Sequence, residues 1–363
     1  MSTRILRLGL VGVAAAVAVV LVVTLWPAGK AAQRASGAAL GVSPAPSPSR
    51  DATMRKLAYG RNGSIYLANW DGSDPVRIAH GTSFVPANGS YWGEGQIWSP
   101  DGRYLAYRGE TGKGASYHAT VNIRDQQGRL IASFPGGGWR IPWSPDSTRI
   151  AAWTRRGGAI GIYGVDGVRQ RVLPVRDGLM APGDFDPVWS PDGASLVVPN
   201  GVEIPLNGSA PRHLPATDPR SHWRFWYSPD GSRVAYLDGS QQLEVAAADG
   251  SAARVLVRSE VGNVAWSPSG DQIAFDTPTS IGLTQIMGPS AEIGVVDVAS
   301  GKVTTLIGVG TGRVLGFSPD GNLILFSRTN AKHVSSLWAA RTDGSGPFRL
   351  VTGTDWGEWQ PMR

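Results

Sequence analysis

The chain has 363 residues, of which 48 are Gly, 26 are Pro and only 17% are charged, a composition that indicates many short strands joined by turns. The absence of cysteine excludes disulfides, thiolate metal sites and cysteine nucleophiles. The formal net charge of +6 would fit a nucleic-acid-binding protein, but residues 1–50 contain five basic residues and no acidic one. The rest of the chain is therefore nearly neutral, and we expect no nucleic-acid partner.

The N-terminus contains an uncharged, apolar run from Leu8 to Trp26, close to the ~20 residues that a helix needs to cross a bilayer. Arg4 and Arg7 precede it, so the positive-inside tendency predicts a cytoplasmic stub (residues 1–7), a single transmembrane anchor (8–26) and an extracytoplasmic remainder. The alternative is a cleaved signal peptide and a secreted protein, since small residues that could form a cleavage site follow at 35–39.

Residues 27–53 are rich in Ala, Pro and Ser and have no apolar periodicity, which predicts a solvated, semi-extended linker. The folded domain is expected to comprise residues 54–363.

A short motif, aromatic-Ser-Pro-Asp-Gly, recurs through this domain. Pro fixes φ at the first central position of a turn, Asp can accept a backbone hydrogen bond, and Gly tolerates positive φ, so each copy predicts a reversal between two antiparallel strands. The copies begin at Trp98, Trp143, Trp189, Tyr227, Trp266 and Phe317, and a degraded seventh copy is Trp359-Gln360-Pro361. This spacing is close to the ~40 to 45 residues of a four-stranded propeller blade.

Two further patterns repeat in step with the motif. A short apolar strand follows each intact copy, and an additional one, Leu57-Ala58-Tyr59, lies at the start of the domain with no motif before it. Turn dipeptides typical of a second hairpin recur at Asp71-Gly72, Gln127-Gly128, Asp166-Gly167, Asn207-Gly208, Asp249-Gly250, Ser300-Gly301 and Asp343-Gly344.

The two unmatched ends predict how the ring closes. If the strand at Trp359 pairs with the strand at Leu57, the C-terminus completes the N-terminal repeat and removes two exposed sheet edges. We therefore expect an all-β fold, a β-propeller of seven four-stranded blades. Six blades are the alternative if the short unit between Leu196 and Tyr227 is irregular.

This repeat resembles that of the TolB-like β-propellers over nearly all of Leu57 to Pro361. The family includes a periplasmic protein of an envelope complex, substrate-gating propellers of serine peptidases and a metal-dependent pectate-fragment lyase. TolB itself has an additional N-terminal domain where this chain has a linker, and the shared motif specifies a fold and no ligand.

The sequence contains no complete set of catalytic residues. A serine hydrolase would need a Gly-x-Ser-x-Gly elbow and a separate α/β domain, and neither is present. The five histidines form no His-x-His or His-Glu pair: His80, His118, His222 and His333 fall near predicted connections, and His213 lies in or beside an outer strand. The motif aspartates have a sufficient role in their turns, so we expect no metal site, no cofactor and no enzyme.

The segments before the innermost strands are unusually aromatic and charged. Such groups on a rigid ring can anchor a peptide, a sugar or a partner's loop. The candidate binding residues are Trp92, Glu94, Trp139, Arg140, Asp184, Asp186, His222, Trp223, Arg224, Arg313, Asp355, Trp356 and Glu358. The alternative is that these tryptophans only pack against adjacent blades.

Together these features predict a monomeric propeller, tethered to a membrane by its N-terminal helix, that binds an extracytoplasmic protein or peptide without catalysis. The alternative is a small-molecule or glycan-binding propeller with lyase or sensor activity.

Overall fold

The computed structural model describes most of the chain from Lys56 onwards. The described residues are 56–80, 98–111, 118–137, 141–154, 159–174, 187–198, 202–214, 225–278, 290–308, 312–330, 332 and 334–362. Within these ranges every regular element is a β-strand, and no helix has the length and apolarity needed to traverse a bilayer. The predicted anchor (8–26) and linker (27–53) lie outside them.

The strands form seven antiparallel sheets, each of which is one blade. Blade 1 combines the two ends of the domain. Its strands are β1 (Leu57–Arg61), β2 (Ser64–Ala68), β3 (Val76–His80) and β26 (Gly357–Trp359), paired in the order β26-β1-β2-β3.

Blades 2 and 3 each have three full strands, and an isolated bridge takes the place of the first strand. Trp98 pairs with Leu105 in blade 2, and Trp143 pairs with Ile150 in blade 3. The strands of blade 2 are β4 (Tyr104–Thr111), β5 (His118–Asp125) and β6 (Leu130–Pro135). Those of blade 3 are β7 (Arg149–Trp153), β8 (Ala159–Gly164) and β9 (Arg169–Pro174).

Blades 4 to 7 have four strands each, in sequence order. Blade 4 contains β10 (Val188–Trp189), β11 (Ser195–Val198), β12 (Val202–Pro205) and β13 (Arg212–His213). Blade 5 contains β14 (Phe225–Tyr227), β15 (Arg233–Leu237), β16 (Leu243–Ala247) and β17 (Arg254–Val257). Blade 6 contains β18 (Val264–Trp266), β19 (Gln272–Pro278), β20 (Ser290–Asp297) and β21 (Val303–Ile307). Blade 7 contains β22 (Gly312–Phe317), β23 (Leu323–Thr329), β24 (Ser335–Arg341) and β25 (Phe348–Thr352).

The ring closes as the sequence predicts. β26 pairs with β1 in antiparallel register, Leu57 opposite Trp359 and Tyr59 opposite Gly357. The seven-blade prediction is confirmed, and the six-blade alternative is excluded because blade 4, although its strands are short, is a complete sheet.

The first strands of neighbouring blades contact each other, as β14 does with β18 and β18 with β22, so they lie on the inner side of the ring. The core lies between blades, where the apolar faces of adjacent sheets meet. Trp153 of blade 3 packs with Trp189 and Leu196 of blade 4, for example, in one buried cluster. Burying both faces of each sheet between neighbours is what allows strands of only two to eight residues to be stable.

Candidate interaction face

The antiparallel order gives the ring two different ends. Connections from first to second strand and from third to fourth strand lie at one end, the turn face. Connections from second to third strand, and from the fourth strand to the next blade, lie at the other end, the loop face. Among the described candidates, Asp355 and Trp356 directly precede the first strand β26, and Arg313 and Glu358 lie at or near the start of the first strands β22 and β26, so these four belong to the loop face.

Blade 4 shows how each motif copy builds its turn. The Gly193 amide donates to the Ser190 carbonyl (2.8 Å), which closes the turn. The Ser190 hydroxyl donates to the Asp192 carboxylate (2.6 Å) and accepts from the Ser195 amide (2.9 Å), while the carboxylate also accepts from the Ala194 amide (2.9 Å). The Ser190 hydrogen bond, followed by that from Ala194, lowers the pKa of Asp192.

The same carboxylate bonds recur at Asp101, Asp146, Asp230 and Asp320. The Ser228 hydroxyl, as the largest contribution, lowers the pKa of Asp230 to about 2. The copy at Trp266 lacks this Asp, and Asp271 replaces it by accepting from the hydroxyls of Ser267 (2.9 Å) and Ser269. These bonds support the interpretation that the motif carboxylates are structural.

The turns of adjacent blades also pack against each other. A Cβ added at Gly231 would lie 2.2 Å from Pro191 Cβ of the preceding blade, so no side chain fits there. Between blades 2 and 3 the Asp101 amide instead donates to Ser147 Oγ (3.0 Å). The polar groups of the turn face are thus largely used within the fold, which leaves few of them to recognise a ligand.

Most of the predicted binding residues lie outside the described part of the chain. These are Trp92, Glu94, Trp139, Arg140, Asp184, Asp186, His222, Trp223 and Arg224. The structure describes the other four, in blades 1 and 7.

Trp356 lies in the core, although the sequence pattern made it a binding candidate. Its side chain is 7% exposed and packs with Ala58, Leu67 and Trp98 between blades 1 and 2. The packing alternative therefore describes Trp356, because an indole buried between sheets has little surface to offer a ligand. Asp355 beside it is exposed.

Glu358 is half-buried on the inner side of the ring, and its carboxylate accepts from the Trp98 amide (3.3 Å). It links blade 1 to blade 2.

Arg313 is half-buried in β22, and its charge acts on a buried carboxylate that the sequence analysis missed. Asp276 in β19 is 1% exposed, and it accepts from the Asn263 amide (3.0 Å), Asn263 Nδ2 (2.8 Å) and the Val314 amide (2.8 Å). Burial raises the pKa of Asp276, while the hydrogen bonds from Asn263 and Val314 and the Arg313 charge act in the opposite direction.

Asp276 therefore ties blade 6 to blade 7 near the loop face, with all of its described hydrogen bonds made inside the fold. The sequence repeat contained a feature that could have identified Asp276. An acid follows the strand Ile273-Ala274-Phe275, whereas no other blade has an acid at the corresponding position, which is occupied by Gly60, Arg108, Trp153, Pro199, Leu237 and Ser327.

The described histidines do not form a metal site. His80 is exposed and its Nδ1 lies 3.2 Å from Ser64 Oγ, and His213 is exposed in the outer strand β13. His118 begins β5, and His222 and His333 lie outside the described residues. No group of three or more His, Cys, Asp or Glu within the described ranges could hold a metal ion.

No protein-family model matches the chain, and no curated protein matches it. Solved structures do. A candidate 6-phosphogluconolactonase from Bacteroides uniformis is 13% identical, with 84% of this chain and 99% of that chain covered and a TM-score of 0.55. The Cps50 (Swd1) β-propeller domain of Myceliophteria thermophila is 14% identical over 73% of this chain and 89% of that chain, with a TM-score of 0.52.

TolB from Acinetobacter baumannii is 16% identical over 85% of this chain and 67% of that chain, with a TM-score of 0.48. At these identities the likeness concerns the fold. The chain is a seven-bladed β-propeller, and the solved propellers above are similar to it in fold.

Proposed function

We propose that this chain is a membrane-tethered, extracytoplasmic interaction module that binds a protein or peptide with its loop face and performs no catalysis. The observation that carries the proposal is the difference between the two faces. On the turn face the serine, aspartate and backbone groups of the five Ser-Pro-Asp motifs bond to one another. The loop face receives the longer connections, such as those between His80 and Trp98 and between Pro174 and Val188.

These connections contain the residue types that dominate the binding energy of protein interfaces. Trp92, Trp139 and Trp223 each lie beside or near a charged residue, and Trp and Arg are enriched at binding hot spots. Loops held on a rigid scaffold can recognise a partner without any reacting group.

The roles of the described carboxylates support the non-catalytic part of the proposal. The motif aspartates are bound in turns, Asp276 is bound between blades, and Glu358 accepts a backbone amide. A carboxylate whose oxygens are held by amides inside the fold is poorly placed to act as a general base or a metal ligand.

Capture of partners from membranes by the full chain tests this proposal. After chemical cross-linking in intact membranes, Trp223→Ala should reduce the captured extracytoplasmic protein at least about tenfold, the loss of one hot-spot contact. Lys302→Ala, an exposed change on the turn face, is the matched control and should capture as much as the parent. Trp356→Ala is unsuitable as a probe because it would disrupt the core.

Equal capture by the Trp223 and Lys302 variants would contradict a loop-face site. Stoichiometric divalent metal in the purified chain, measured by elemental analysis, would instead favour the glycan- or small-molecule-directed alternative.

A further inference from the structure

Exposed apolar side chains are concentrated on one part of the rim. Most of the large apolar residues that are exposed in the described part of the chain lie on or beside the outer strands of blades 1, 2 and 3. They are Val76, Leu130, Ile131, Val168 and Val172. Val168 is 60% exposed and Val172 is 43% exposed.

Two of these strands, β3 and β9, carry exposed arginines, and a further arginine lies in the turn just before β6. β3, β6 and β9 contain no acidic residue, while Arg77, Arg169 and Arg171 in β3 and β9 are exposed and pair with no carboxylate within the described ranges. Arg129, just before β6, is 79% exposed and pairs with Asp125 (3.0 Å). We refer to these four arginines and the five apolar residues as the rim patch.

The rim patch is continuous across the three blades. The turn before β6 lies against β3, since a Cβ at Gly128 would be 2.5 Å from Ile78 Cγ2. The turn before β9 lies against β6, since a Cβ at Gly167 would be 3.0 Å from Ala132 Cβ. Phe134 and Tyr163 stack between the same blades with ring centroids 4.2 Å apart.

The rim patch also lies at the same end of the ring as Lys56, the first residue that the structure describes. Each outer strand starts at the turn face, so Val76, Leu130 and Arg169 are at that end of their strands. Lys56 is there too, because its carbonyl accepts from the Gln360 amide and Gln360 Nε2 donates to the Gly102 carbonyl in the turn of blade 2. The sequence before Lys56 includes the apolar run from Leu8 to Trp26.

We propose that the rim patch docks on the surface of an anionic phospholipid bilayer, the membrane to which the chain is tethered. The apolar side chains enter the boundary between headgroups and acyl chains, and the arginines contact lipid phosphates. This orientation rests on the proposed tether, and it directs the loop face away from the membrane towards a partner. Charges on edge strands also prevent aggregation, but that role does not account for the exposed apolar residues beside them.

The tether brings the rim patch within reach of the bilayer. If residues 27–53 form the predicted linker, even a random coil of that length has a root-mean-square extension of roughly 30 Å, and a semi-extended linker reaches farther. A weak surface affinity is therefore sufficient for docking, because the linker keeps the local concentration of lipid high.

The absence of cysteine allows a direct test on the full chain. An environment-sensitive fluorophore is attached to Val172→Cys or, as the control, to Val303→Cys on the outer strand of blade 6, where the native valine is also 43% exposed. The chain is reconstituted into vesicles of phosphatidylcholine alone or of equal phosphatidylcholine and phosphatidylglycerol. We expect a blue-shifted emission and quenching by a lipid-borne quencher for the probe at 172 in anionic vesicles only, and no change at 303.

Removing positive charges from the rim patch provides a second test of docking. Arg77→Gln, Arg169→Gln and Arg171→Gln combined should lower the ratio of docked to undocked chain by about a hundredfold, since each arginine at an anionic surface contributes ~1 kcal/mol. Arg233→Gln, Arg258→Gln and Lys302→Gln combined remove the same charge from exposed positions of blades 5 and 6 and should leave docking unchanged.

Equal responses at positions 172 and 303, or the same emission in neutral and anionic vesicles, would overturn the proposal. A shift at 172 that depends on protein concentration without vesicles would also overturn it, because the patch would then be a contact between copies. Flotation of the chain with neutral vesicles reports on the anchor separately, so loss of the tether and loss of docking are distinguishable.

Discussion

At the scale of single residues, the repeat depends on small residues that let adjacent turns approach closely. The glycine of the motif has positive φ in five intact copies, as at Gly102 (69°) and Gly231 (70°), and packs on the preceding blade. Ser147 takes its place in blade 3 at a φ of 60°, and its hydroxyl is used by Asp101. The motif is thus a contact between blades as well as a turn.

Two glycine substitutions separate the contribution of the turn conformation from that of the contact between blades. Gly231→Ala places a methyl group against Pro191, whereas Gly301→Ala, at a nearly identical φ of 72°, places one in open space. Both should lose about 1 kcal/mol of unfolding free energy for the left-handed backbone, and Gly231→Ala should lose a further 1 to 3 kcal/mol or so for overpacking. Urea denaturation of the two variants measures the difference. Equal losses of unfolding free energy in the two variants would mean that the turn of blade 5 can move away from blade 4 to accommodate the added methyl group.

At the scale of elements, the seam between β26 and β1 reproduces a turn without a covalent link. In blade 2 the Ser99 amide donates to the Tyr104 carbonyl (2.8 Å), and the Tyr104 amide donates to Ser99 Oγ (3.0 Å). Across the seam the Gln360 amide donates to the Lys56 carbonyl (2.8 Å), and the Lys56 amide donates to Gln360 Oε1 (3.2 Å). The longer side chain of Gln360 takes the role of the motif serine.

Replacing Gln360 by Ala should therefore weaken ring closure. The change removes three side-chain hydrogen bonds at a 4% exposed position, to the Lys56 amide, the Gly102 carbonyl and Gln126, and should lower the unfolding free energy by about 1 to 3 kcal/mol. Gln127→Ala is the control and should have little effect, because Gln127 is exposed in the turn between β5 and β6, next to Gln126. The midpoints of thermal unfolding of the two variants, followed by circular dichroism, measure the difference. A parent-like midpoint for the Gln360 variant would show that backbone pairing alone holds the seam.

The elements were predictable from sequence to a greater extent than the site. Turn glycines such as Gly72 and Gly344 have the positive φ that their dipeptides imply, and Trp359 lies opposite Leu57. These features are local or repeat seven times, so they can be identified from one chain. Whether Trp356 faces solvent or a neighbouring blade depends on the packing of two sheets distant in sequence, and the pattern of aromatic residues does not decide between them.

At the scale of the whole molecule, the turn face is held by contacts that repeat from blade to blade, and the loop face is held by contacts that differ between blades. Bonds between motif residues repeat around the turn face, while contacts near the loop face differ from blade to blade, as Asp276 between blades 6 and 7 illustrates. A ring in which one face is uniform can vary the other without losing closure. The rim patch and Lys56, the first described residue, lie at the uniform end, which is consistent with the proposal that the variable end binds a partner.

If the seam is equivalent to a turn, the position of the chain ends around the ring should not matter. A circular permutant that begins at Ser209, ends at Gly208, and joins Pro361 to Lys56 through Asp-Gly-Arg would restore the spacing that separates Pro100 from Tyr104. Its new ends fall in an exposed turn of blade 4 where a Cβ at Gly208 would meet no neighbour. We expect one cooperative thermal transition with a midpoint at or above that of the unpermuted fragment 56–363, because a covalent turn now limits separation of β26 from β1 in the unfolded chain.

A matched permutant, in which a single Gly links Pro361 to Lys56, is the control. One residue cannot span the turn, so this permutant should unfold at a lower temperature. If both permutants behave alike, or if the first aggregates, the equivalence of the seam and the motif turns fails, and with it the idea that all seven blades share one mode of contact.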